Sequence, residues 1–81
     1  MADTRKFDID QIMQARKSAK NGFERDIADR ALYAIMRENG MVRQKREQLV
    51  MAVRNNDHRA IHRFQQELMI MKANRTYGKD Y

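Results

Sequence analysis

Apolar residues recur along this chain at spacings of three and four, with polar residues between them, which is the period of a helix packed on one side. Phe23, Ile27, Ala31, Ala34 and Ile35 form one such face. Ala60, Ile61, Phe64, Leu68 and Met71 form another, and the last four keep a heptad-like seam. Between them lie Val42, Leu49, Val50 and Val53, and a first segment offers Ile9, Ile12, Met13 and Ala19 as its buried side. The pattern predicts four helices, over about 8–20, 23–38, 41–54 and 57–74. No window alternates in the way a half-buried strand would, and no repeat is evident. The expected fold is all-α: a small bundle of about four helices whose last two form an antiparallel C-terminal hairpin. Residues 1–74 make a single helical domain, and the aperiodic 75–81, RTYGKDY, reads as a flexible tail.

The breaks between these segments carry their own chemistry. Asn-Gly follows the first two apolar runs, at 21–22 and 39–40. Both residue types tolerate the left-handed backbone that closes a helix, so each pair reads as a helix stop. Asp8 or Asp10 is expected to cap the first helix. In the stretch RNND, Asn55 and Asn56 can close the third helix, and Asp57 can cap the fourth by accepting backbone N–H bonds. So short a connection makes the two helices antiparallel neighbours.

An 81-residue chain without cysteine has a small core and no disulfide or thiolate–metal support for it. Self-association is the usual supplement, so a homo-oligomer, a homodimer in the simplest case, is expected. In the start, MADTRKFDIDQ, no apolar run follows the basic residues that would make a secretory signal. Apolar runs reach only six residues, Ala31–Met36, with Leu68–Met71 a shorter one, far below the roughly 20 residues of a membrane span. A cytoplasmic protein with no membrane insertion is the expectation, and the absence of cysteine fits a reducing compartment.

Catalytic machinery is not evident. His58 and His62 share a helix face at i, i+4, a spacing that can hold a transition metal if a third ligand arrives. Extending the stripe gives Gln65 and Met69, however, and Arg59 stands where a zinc-protease motif needs its glutamate. Solvated or interface histidines are the plainer reading. The carboxylate pairs Asp8/Asp10 and Asp26/Asp29 sit at helical or capping positions. Ser18 is the sole serine, and there is no glycine-rich phosphate loop. No enzymatic activity, metal or cofactor is expected.

Charge and leftover apolar residues say more. The net charge of +6 is uneven: residues 1–40 carry eight basic and seven acidic side chains, residues 41–81 nine and four. Arg43, Gln44, Lys45 and Arg46 open the third helix after an Asn-Gly break, which suggests a helix-turn-helix reader; Arg54 could extend the basic surface. Aligned on Gly40, that motif would place Asn39 and Arg46 where apolar residues usually stand. Arg59 and Arg63 make a second basic face, suited to phosphates, to an acidic protein, or simply to solubility.

Meanwhile Tyr33, Met36, Met51, Met69 and Ile70 lie off the predicted core faces. Seven methionines in so short a chain suit either an adaptable contact surface or a core wider than these stripes mark. The expected function is therefore a non-catalytic helical interaction protein that binds and modulates a partner protein with an acidic surface. Tyr33, Met36, Met69 and Ile70 would serve as anchors, and Arg59 and Arg63 as part of the basic rim. A nucleic-acid-binding regulator using Arg43, Gln44, Lys45, Arg46 and Arg54 is the alternative.

Overall fold

A computed structural model describes residues 4–38 and 40–74, with side chains over 9–38 and 40–73. It contains four helices, α1 (Thr4–Ser18), α2 (Gly22–Ala34), α3 (Gly40–Arg54) and α4 (His58–Asn74), and no strand among the described residues. The expected tail, 75–81, lies outside the described residues.

The corner between α3 and α4 forms as its residue types dictate. Asn56 adopts a left-handed backbone with φ 57°. Its N–H donates to the Val53 carbonyl, and the N–H of Asp57 donates to Ala52 O at 2.9 Å. This pair of bonds is a Schellman closure of α3. Asp57 then caps α4, its Oδ1 accepting from Ala60 N at 3.2 Å while its carbonyl accepts from Ile61 N at 2.9 Å. The two helices return on each other as an antiparallel hairpin.

The other two breaks depart from expectation. Asn21 does not close α1. It caps α2, with extended backbone (φ −155°, ψ 178°) and Oδ1 accepting from Glu24 N. Asparagine serves both ends of a helix, and here its side chain satisfies an N-terminal donor that would otherwise be orphaned. Helix α2 ends at Ala34, short of the expected 38, and passes through a turn closed by Arg37 N donating to Ala34 O. Gly40 opens α3 with φ 58°. Because α1 begins at Thr4, Asp10 lies inside the helix and is no cap; the side chain of Asp8 lies outside the described residues.

Packing centres on α3, which touches α1, α2 and α4, while α1 also packs on α2. Ile12, Ile35, Leu49, Val42, Val53 and Ile61 are almost wholly buried, joined by Ile27, Leu68 and a set of small alanines. The principal extents, 33 × 30 × 18 Å, make the molecule flat. Its thinnest dimension is close to two helix diameters of roughly 10 Å each. A flat bundle covers only part of each helix, so some predicted core residues stay outside. Ile9 and Met13 are about half exposed because α1 packs along its Ile12–Ala15 stripe instead. Phe23, also expected in the core, is 45% exposed.

Candidate functional site

Helices α2 and α4 run in the same direction on one side of the molecule, as contacts at both ends require. At their starts, Phe23 stacks on His62 with ring centroids 5.4 Å apart and planes 14° from parallel. Beside them His58 Nδ1 lies 2.9 Å from Glu24 Oε2. At the far ends, Lys72 Nζ approaches Glu38 Oε2 at 3.6 Å. Between these fastenings the helices stand apart over a groove of about 500 Å³.

Two stripes make the walls. Ile27, Arg30, Ala34 and Arg37 follow one another at helical spacing on α2 and its succeeding turn, with Tyr33 on the rim. Gln65, Met69 and Lys72 do the same on α4, with Leu68 deeper. The apolar part is thus central. The charged part has four basic residues (Arg30, Arg37, Arg46, Lys72) and one carboxylate (Glu38).

Glu38 and Arg46 form the floor at one end. Both are buried, and the guanidinium donates twice, from Nε to Oε1 at 2.9 Å and from Nη2 to Oε2 at 2.7 Å. Such a two-pronged pair fixes both planes, so the floor is rigid. At the other end the buried Glu24 carboxylate accepts from Lys20 N at 3.0 Å while facing His58, which joins the α1–α2 corner to the start of α4.

Of the residues expected to bind protein, the structure brings Tyr33 and Met69 together in this groove, 76% and 60% exposed. Met36 and Ile70 are also exposed but do not line it. Arg59 is exposed on α4, and Arg63 lies over the Phe64 ring, 4.8 Å from its centroid. Met51, expected off the core, is half-buried.

The nucleic-acid candidates are mostly tied to neighbours. Arg43 pairs with Glu47, Lys45 with Glu67 at 2.7 Å, and Arg54 Nε donates to Gln14. Arg46, expected to read bases, is instead buried and held by Glu38, and presents no guanidinium to a base. Gln44 is exposed and lines a shallower hollow on the outer side of the hairpin, with Gln48, Met51, Asn55 and Phe64. That hollow carries the carboxylates of Glu47 and Asp57 and no basic residue, which suits phosphate poorly.

No group of three or more metal-ligating side chains gathers among the described residues. His58 and His62 point instead to Glu24 and Phe23. No described helix is long and apolar enough to cross a membrane.

Arg30, Arg37 and Lys72 carry no motif of their own, and Gln65 stood out only as the continuation of the His58–His62 stripe. Their signal was the continuation of two stripes, 23–27–30–34–37 and 58–62–65–69–72, beyond the apolar positions. Compared with known protein families, curated proteins and solved structures, the chain matches none.

Proposed function

We infer that this protein is a non-catalytic interaction module that binds and modulates a partner protein through the α2–α4 groove, the partner presenting an acidic surface. The observation that carries this reading is the convergence of exposed Tyr33 and Met69 on one groove rimmed by Arg30, Arg37 and Lys72. Apolar anchors seated in a pocket supply most of the affinity in such contacts, and the surrounding charge steers and orients. The groove's volume and mixed lining also fall within the range of built ligand sites. The nucleic-acid alternative has weaker support, since four of its five residues are already engaged within the chain. A second copy of this chain, itself at +6, would bring like charge to the groove. Self-association therefore belongs to the exposed Met36, Met41 or Ile70 outside it.

The test is a set of photo-crosslinking side chains at positions 33, 69, 70 and 59, exposed to extract from the source cells. Crosslinks to one protein from 33 and 69 are expected, the one from 33 being lost on Met69→Asp but kept on Ile70→Asp with unchanged helix content. Crosslinks from 70 and 59 alone would move the interface elsewhere and sink the groove. Retarded migration of short duplex DNA at about 200 mM salt, where phosphate-led binding weakens strongly, would put the alternative first.

A further inference from the structure

We propose that the groove's occupant is an amphipathic α-helix of about three turns, running antiparallel to α2 and α4, with acidic residues in its first turn. This rests on the groove being the binding site and adds the occupant's form, polarity and charge pattern.

Form follows from what the groove offers. Its walls are two helices, whose backbone groups are bonded within themselves, and no strand edge exists among the described residues to receive an extended peptide. A helix satisfies its own backbone and needs only side-chain contacts. The helical wall from Ile27 to Ala34 rises about 10 Å at 1.5 Å per residue, and the tighter turn that carries Arg37 extends it to a length of roughly three turns.

The groove's chemistry is not the same along its length. Ile27 and Leu68, with Tyr33 and Met69 beside them, make an apolar middle suited to leucine-sized anchors. Arg37 and Lys72 stand together at the far end, where Lys72 reaches the Glu38–Arg46 floor. Arg30 stands alone nearer the Ile27 end, so acidic groups on the occupant concentrate at the Arg37–Lys72 end.

Polarity follows from the same asymmetry. The parallel α2 and α4 bring both of their C-termini to the Arg37–Lys72 end, and each carries a partial negative charge there. An occupant's N-terminus is partially positive, so its favourable position is against those two C-termini. Its acidic first turn then meets Arg37 and Lys72, and the same carboxylates suit its own N-terminal dipole. The groove dipoles favour the occupant's N-terminus there but oppose its carboxylates, so the direction is set by charge complementarity with Arg37 and Lys72 and by the occupant's own dipole.

The full-length protein, isotopically labelled, would be titrated with two synthetic helical peptides of about four turns. Both carry the same leucine stripe; one has glutamates filling its first turn, the other has them in its last. Each bears a nitroxide at its N-terminus. The expected result is roughly tenfold tighter binding of the first peptide. Its nitroxide should broaden the amides of Arg37 and Lys72 and spare those of Phe23 and His62. Charge reversal by Arg37→Glu should remove the difference between the peptides. Equal affinities, or broadening at Phe23 and His62 by the tighter peptide, would overturn the polarity and charge pattern while leaving the groove as the site. Failure of both peptides to shift Ile27, Tyr33, Leu68 and Met69 would overturn the groove reading as well.

Discussion

Arg46 holds both carboxylate oxygens of Glu38 across the α2–α3 turn, at 2.9 and 2.7 Å, with both side chains almost fully buried. A buried pair of this kind roughly breaks even against apolar replacements, but leaving one member alone is expensive. Arg46→Met should destabilise the fold by about 3–5 kcal/mol. The double change Glu38→Met with Arg46→Met should recover most of that loss. Urea midpoints would check this, and a double variant no more stable than the single one would contradict it.

Asn21 and Glu24 together start α2, and Glu24 also reaches back to Lys20 N and across to His58. Asn21→Ala removes one cap bond and should cost about 1 kcal/mol. Glu24→Ala strips a buried acceptor from two elements and should cost about 1–3 kcal/mol, the larger of the two. Faster amide exchange at Lys20 in the Glu24 variant would locate the damage at this corner.

Gly22 and Gly40 look alike in the sequence, each following an asparagine, yet they should respond in opposite ways to alanine. A Cβ at Gly22 would meet nothing within 4 Å, and its backbone is not left-handed. Gly22→Ala should therefore stabilise by about 0.4–1 kcal/mol through the unfolded chain. Gly40 has φ 58°, so Gly40→Ala forces a side chain into the left-handed region at about 1–2 kcal/mol. Melting temperatures moving in the same direction for both would refute the distinction.

Glu67 is held below the ordinary glutamate value, first by the hydrogen bond from Lys45, which outweighs an opposing desolvation, and further by the charges of Lys45 and Arg63. A carboxylate with a lowered folded pKa stabilises above its unfolded value, about 4.3, and that contribution fades as pH falls through the folded value. In Lys45→Met the Glu67 carboxyl should titrate closer to the ordinary value, as a carbon-detected titration would show. An unmoved midpoint would mean that Lys45 is not the cause.

Much of the fold could be read from periodicity because helices α3 and α4 bury the same residues their spacing selects, Val42, Leu49, Val53, Ile61 and Leu68. The RNND corner was legible too, since closing and capping residues act locally. Ile9, Met13 and Phe23 were not, because a repeat of three and four marks an apolar side without saying how much of it a flat bundle covers. Asn21–x–x–Glu24 has capping-box spacing and could have been recognised as a start rather than a stop. The Glu38–Arg46 pair had no such signal: it crosses a turn, and burial turned a basic residue that looked free into structural support. Tyr33 and Met69 were identifiable as unspent apolar residues. That they share a groove depends on α2 and α4 lying parallel, which no local pattern encodes.

The fastenings at Phe23–His62 and Lys72–Glu38 also bear on how a bound helix would leave. A cleft fastened at both extremities resists opening about a hinge, so less disorder is frozen out when it fills than in an unfastened one. Recognition by such a preformed cleft gains from low reorganisation entropy, and changes to its walls register mainly in residence time rather than in the rate of encounter.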